Sequence, residues 1–309
     1  MLEDEQKRLA RLQPNLKRRA LIIEFIREFF NEQGFLEVET PIRARAIAPE
    51  LFIVPFQSED WFLAASPELH MKRLLAAGYE KLFQFSHCFR KGERGRWHNP
   101  EFIMLEWYRR GADYQNIIGD TEQLVATIAR KLGHKKTIKY RGQEINISLP
   151  WPRITVRNAY IKSASWDPVA ENDPERFDMD FMSKVLPGFA KDRPTVLIDY
   201  PAAQASLARL KPDNPLVAER AEVFIAGLEL ANAYSELADA KEQTSRFREA
   251  IEQIQRDRGQ VMPLPEKFLK AMERLPECGG IALGIDRLVM LFCDADSIDD
   301  VIAFTEDTA

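Results

Sequence analysis

The stretch that most constrains this chain runs from Lys81 to Arg109, KLFQFSHCFRKGERGRWHNPEFIMLEWYR. Two runs rich in aromatic and β-favouring residues flank a polar, charged loop, which is the pattern of a long antiparallel hairpin. Side chains alternate across a strand, so the first arm sends Phe83, Phe85 and Phe89 to one face and Gln84, Ser86, Cys88 and Arg90 to the other. In the second arm Ile103, Leu105 and Trp107 make an apolar face, while Phe102, Met104, Glu106 and Tyr108 share the opposite one. The apolar face reads as core. The other is either the solvated outside of an edge hairpin or a ligand surface carrying a cation, two aromatic rings and a carboxylate.

Length and composition narrow the setting. With 309 residues and 45% hydrophobic content, the chain can bury a sizeable core and sits near the upper limit for one domain, so a single large domain is expected. A net charge of −5 argues against a protein whose main work is gripping a phosphate backbone. The three cysteines, Cys88, Cys278 and Cys293, lack metal-ligand spacing and cannot all pair within the chain, which points to a reducing cytosol. The first thirty residues are charged throughout, and no run is apolar enough for a signal peptide or a membrane span. A cytoplasmic protein without a membrane partner is the expectation.

Taken in order, residues 3–33 read as helical with a break at Pro14 and Asn15, after which Ile23, Ile26 and Phe30 recur at helical spacing. The basic cluster Lys17, Arg18 and Arg19 is either a solvated helix face or a polyanion contact. Gly34 stops the helix, and Phe35 to Pro41 reads as a strand ending in proline. Residues 43–65 are irregular, with short strands. Ser66, Pro67 and Glu68 look like N-cap, first helical position and first-turn acid of the next helix. A scaffold helix follows from Tyr114 to Leu132, and a short strand from Thr195 to Tyr200. In the stretch from Glu222 to Glu236, glutamates seven apart (Glu222, Glu229, Glu236) would line one face of a helix. Alternatively the chain turns back at Ala226-Gly227, which puts Phe224 opposite Glu229 and leaves Glu222 and Glu229 close enough to share a cation. Finally, Gly279 to Ile285 alternates core residues (Ile281, Leu283, Ile285) with Gly280, Ala282 and Gly284, a face almost without side chains that a flat ligand or another segment could approach. Asp286-Arg287 then opens an apolar helix, where a phosphate partner is plausible.

At Phe89-Arg90, His98-Asn99-Pro100-Glu101-Phe102 and Met104-Leu105-Glu106 the chain resembles motif 2 of the class II aminoacyl-tRNA synthetases, in particular the lysyl-tRNA synthetase branch. The segment from α-helix through Gly34 to Pro41 resembles motif 1, a homodimer interface in that family. The run from Gly279 to Arg287 resembles motif 3. The resemblance spans roughly Leu16 to Phe304 and implies an α+β fold, an antiparallel sheet of six or seven strands flanked by helices. It favours the hairpin over the helix for Glu222 to Glu236.

The resemblance also implies chemistry. ATP would be bound by Arg90, Lys91, Gly92, Glu93, His98, Asn99, Phe102, Glu229, Leu230, Gly284 and Arg287. Arg90 would reach the α-phosphate, Arg287 the far phosphates, and Phe102 and Arg287 would sandwich adenine. Mg²⁺ would be held by Glu222 and Glu229. The amino acid would be held by Ser66, Pro67, Glu68, Glu106, Tyr108, Glu236 and Ala282, with Glu68 meeting its α-ammonium group and Glu236 its ε-ammonium group. Catalysis would come from alignment and charge stabilisation by Arg90 and Arg287.

The chain starts directly at the synthetase-like region, so no N-terminal anticodon-binding barrel is expected and tRNA is not expected as a partner. That arrangement is similar to stand-alone paralogues of the catalytic domain that transfer activated (R)-β-lysine to a lysine side chain of elongation factor P. Ala282, where lysyl-tRNA synthetases have glycine, agrees with that substrate. The alternatives are a truncated synthetase that charges tRNA with lysine or only forms adenylates, and a non-catalytic regulatory paralogue. Two positions depart from the family pattern. Gly92 stands where a glutamate is usual, with Glu93 following it, and Ala233 replaces a glycine, with an expected effect on the pocket floor.

Overall fold

A computed structural model of the chain describes residues 5–309. It opens with α1 (Glu5–Glu32), β1 (Leu36–Glu37) and a small sheet of β2 (Arg43–Ala44), β3 (Gln57–Ser58) and β4 (Trp61–Leu63). Then come α2 (Glu68–Ala76) and the long hairpin β5 (Lys81–Phe89) and β6 (Glu101–Arg110). After α3 (Tyr114–Lys131) follow the hairpin β7 (Thr137–Tyr140) and β8 (Gln143–Asn146), β9 (Arg153–Thr155), α4 (Val156–Ala164), α5 (Pro174–Asp180), β10 (Thr195–Pro201) and β11 (Leu210–Lys211). The last third holds β12 (Asn214–Ile225), β13 (Leu228–Ser235), α6 (Ala240–Arg258), α7 (Glu266–Met272), β14 (Cys278–Gly284) and α8 (Ile285–Cys293).

The main sheet runs β1-β5-β6-β14-β13-β12-β10-β9, with β11 paired to β12. Its six central strands, β5 to β10 in that order, are antiparallel. The expected six or seven strands therefore describe its centre. The extra ones are short: β1 and β9 add parallel edges of two and three residues, and β11 adds two more. One face is core. There Phe83, Leu105, Trp107, Val223, Ile281 and Leu283 pack under α1, α3 and α8, and the Phe30 ring stacks on Phe83 at 4.8 Å. The face expected to be apolar in the hairpin is thus the buried one, and the opposite face stays open to a cleft.

Two local expectations change. The α1 helix runs unbroken through Pro14, although an interior proline costs ~3 kcal/mol. Tethers to the C-terminal segment hold it. Arg8 donates to the carbonyl of Ala303, Asn15 to that of Asp300 and Arg18 to that of Phe292, while Arg19 pairs with Asp286 at 2.6 Å. Of the basic cluster, Lys17 stays exposed on a solvated helix face, whereas Arg18 and Arg19 reach back to the chain itself. They are a clamp within the chain. The strand read over Phe35 to Pro41 shrinks to Leu36–Glu37, with Val38 donating one further hydrogen bond to Phe83.

Candidate active site

Four segments converge on the open face of the sheet around a cleft of about 440 Å³. The start of α2 contributes Ser66 and Glu68; β6 and the loop before it contribute Arg90, Glu93, His98, Asn99, Phe102, Glu106 and Tyr108. The pair β12–β13 and the residue after it contribute Glu222, Glu229, Leu230 and Glu236; β14 and α8 contribute Ala282, Gly284 and Arg287. Sixteen of the expected site residues are therefore brought together on one cleft. Three are not among its lining: Pro67, Lys91 and Gly92.

The glutamate stretch is a hairpin. Its turn lies at Ala226-Gly227, both with positive φ (52° and 79°), and Phe224 faces Glu229. A bulge after Val223 re-aims the strand so that Glu222 pairs with Asn232. Single-helix spacing is excluded.

At one end of the cleft two guanidinium groups, those of Arg90 and Arg287, line the cavity. Arg287 donates to the Glu229 carbonyl at 2.8 Å, and its Nη2 lies 2.6 Å from His98 Nε2. A guanidinium can only donate, so His98 accepts and is neutral; burial and the adjacent Arg287 charge both hold its pKa down. Arg90 lies with its guanidinium 5.3 Å from the Phe102 ring centroid and pairs with Glu93 at 3.6 Å. The departure at Gly92 gains a reason here. Its φ of +84° resists a side chain, and Glu93 turns into the cleft instead. Asn99 lines the cleft, but its amide donates to the Glu101 carbonyl at 2.5 Å and accepts from the Glu306 amide at 3.2 Å.

The other end is acidic and buried. Glu106 accepts from Ser66 Oγ at 2.6 Å and from Tyr108 OH at 2.7 Å. Ser66 Oγ in turn accepts from the Glu68 amide at 3.0 Å and so orients Glu106, but the N-cap of α2 is Pro67 and not the expected serine. Burial, with the Glu68 charge added, pushes Glu106 up to about 8. Glu236 is likewise pushed up to about 8 by burial, which outweighs the pull of Lys72. Gly280 lets these groups close in, because a Cβ there would run into Glu236 Oε1 and the Tyr108 ring. Along β14 the acidic end lies at Gly280 and Arg287 packs by Gly284, ~13 Å apart at strand rise.

Sequence reasoning missed four charged or polar groups here. Lys72 bridges Glu68 and Glu236. Glu50, from the irregular segment, lines the cleft with its pKa raised by burial against the pull of Arg90. Arg220 donates to Glu222 at 2.6 Å and to the Gln204 carbonyl at 2.7 Å and lies 4.4 Å over the Tyr200 ring. Asn232 faces Ala282 across the sheet. Of these only Arg220 had a signal, its two-residue offset from Glu222 on one strand face. The expected influence of Ala233 on the pocket floor is not found: it pairs with Ala221 and Ile281 and is fully buried in the core.

A cleft on an antiparallel sheet, with arginines from a hairpin and a helix start flanking carboxylates, fits an ATP-dependent ligase. The chain belongs to the family described as tRNA synthetases class II (D, K and N), whose model matches residues 6–308. Among curated proteins it is 39% identical over 316 residues to the elongation factor P (R)-β-lysine ligase of Klebsiella pneumoniae (strain 342), covering 96% of each chain. It is 40% identical over 319 residues to the protein of the same name from Salmonella dublin, again over 96% of each.

Proposed function

We propose that this protein activates (R)-β-lysine with ATP and transfers it to a lysine side chain of elongation factor P. The observation that carries this reading is the division of one cleft into a diguanidinium end and a buried polyacid end. A carboxylate oxygen of the diamino acid attacks the α-phosphorus, the new P–O bond forms as the α–β bridge breaks, and pyrophosphate leaves. The ε-amine of the acceptor lysine then attacks the acyl carbon, forming C–N as the bond to AMP breaks and shedding its proton. No side chain need act as nucleophile. Arg90 and Arg287 stabilise charge that moves onto phosphate oxygens, and Phe102 offers a ring face for adenine, as its contact with a planar guanidinium illustrates.

Glu222 and Glu229 would hold Mg²⁺. Burial raises the pKa of Glu222 against the pull of Arg220, and the charge of Glu229 adds to the rise, a repulsion that a divalent cation would relieve. No cluster of three or more metal-ligating side chains exists among the described residues, so phosphate oxygens and water would complete the shell. When bound, the ion neutralises phosphate charge.

The remaining assignments follow from this reading. Ala282, flanked in register by Glu106 and Asn232, places a methyl group at the wall of the diamino acid site and favours an amino group shifted by one carbon. Exposed Leu36 and Ile42, near the proline-ended strand, support a homodimer through that face. The acceptor being a translation factor, we place the enzyme in the cytoplasm. No helix of the described residues is long and apolar enough to cross a membrane. The test is to supply ATP and labelled (R)-β-lysine or α-lysine with either elongation factor P or tRNA. Label on elongation factor P supports the reading; label on tRNA alone supports the truncated-synthetase alternative.

A further inference from the structure

The acidic end contains a cation of its own. Lys72 lies one helical turn beyond Glu68 on α2, its side chain only 1% exposed, with Nζ 2.5 Å from Glu68 Oε1 and 2.5 Å from Glu236 Oε2. An i,i+4 glutamate–lysine pair on a surface helix contributes a few tenths of a kcal/mol. Here both partners are inside, and a buried ammonium is tolerated only with close anionic partners.

We propose that Lys72 is the positioning residue that makes this cluster a site for a diammonium substrate. It ties one oxygen of Glu68 and one of Glu236 to a common buried cation, and so fixes the spacing of the two carboxylates. This rests on the lysine-activating function proposed above.

Three observations carry it. First, the groups facing Lys72 are Glu68 on its own helix, Glu106 and Tyr108 from β6, Glu236 after β13 and Cys278 from β14. Burial holds Tyr108 and Cys278 in their neutral forms. Three carboxylates against one ammonium leave two negative charges when all are ionised, the complement of two substrate ammonium groups. Second, Lys72 pairs with only one oxygen of each bridged glutamate, and both Glu236 oxygens are buried without a hydrogen-bond partner, Oε2 being met by the Lys72 ion pair alone. Third, without Lys72 three crowded carboxylates would take up protons and lose the charge that recruits the substrate. The opposite role, a plug that occupies a substrate ammonium position and must be expelled, makes opposite predictions.

The test compares wild type, Lys72→Met and Lys72→Arg in diamino-acid-dependent pyrophosphate exchange from pH 6 to 9. Lys72→Met should raise the KM for the diamino acid at least tenfold, keep the KM for ATP within twofold and move the rise of kcat/KM to higher pH. Lys72→Arg, which keeps the charge, should fall between the two. An unchanged or lower KM for the diamino acid in Lys72→Met, or equal increases in both KM values, would overturn the proposal while leaving the enzyme's assignment intact. Wild type without any diamino-acid-dependent exchange would overturn both. Should the variants fail to fold, ¹⁵N-lysine spectra of the wild type decide: a Lys72 ammonium protected from solvent with and without (R)-β-lysine supports positioning, whereas its release on binding marks a plug and refutes it.

Discussion

At the scale of single residues, the acidic end sets how the enzyme responds to pH. Burial pushes both Glu106 and Glu236 up to about 8, with Lys72 pulling against it, so the free cluster reaches its full negative charge only as the pH rises. The carboxylates bind cations only when ionised. kcat/KM for the diamino acid should therefore climb at least tenfold from pH 6 to 8 and go on rising more gently to about pH 9, until the substrate amines themselves lose protons. A parallel profile with varied ATP should show a shallower climb. A flat diamino-acid profile would mean that these carboxylates are already ionised in the free enzyme. Ala282 offers a second residue-scale test. Removing its methyl in Ala282→Gly should shift the ratio of kcat/KM for α-lysine over (R)-β-lysine upward by ~10-fold, as expected of one methyl group worth ~1 to 3 kcal/mol, and competition assays with the two isomers would measure it.

Elements decide whether those residues meet. The β12–β13 hairpin brings Glu222 and Glu229 together through a two-residue turn whose residues both have positive φ, the type that favours Asn-Gly. Ala226 in the first position is strained by its Cβ. Ala226→Asn should therefore raise the unfolding free energy by ~0.5 to 1 kcal/mol in urea titrations with activity retained. A loss of stability would mean that the turn is not of this type. The same element shows what the sequence could and could not disclose. Period-two alternation separated core from cleft faces in Lys81 to Arg109 because each arm pairs with neighbours on both sides, so its pattern is undiluted. The glutamates of Glu222 to Glu236 fitted a helix equally well, since spacing alone cannot see the turn or the bulge, and the family pattern resolved them. Lys72 was illegible for a different reason. Within its helix it looks like a surface partner for Glu68, and only the return of the chain as Glu236 from β13 buries it. Pro14 misled because the contacts that sustain α1 come from residues nearly three hundred positions later.

The whole molecule is closed by that long-range contact. Arg19 reaches Asp286 at 2.6 Å, with side chains 13% and 4% exposed, and Asp286 also accepts the backbone amide of Ile103 on β6 at 3.1 Å. One carboxylate thus ties α1, the central hairpin and the start of α8 immediately before Arg287. Truncating one partner of a buried pair strands the other charge, at a cost of ~3 to 5 kcal/mol. Arg19→Ala should destabilise by about that much in chemical denaturation and weaken nucleotide use through Arg287; a change below ~1 kcal/mol would show the pair to be no better than a surface one. The broader account rests on Arg90 and Arg287 serving one nucleotide whose α-phosphate meets a diamino acid held at the acidic end. ATP–pyrophosphate exchange, run with and without (R)-β-lysine, measures that directly. Exchange that depends on the diamino acid and falls at least a hundredfold in both Arg90→Ala and Arg287→Ala is the predicted result; exchange indifferent to the diamino acid, or to either arginine, would contradict it.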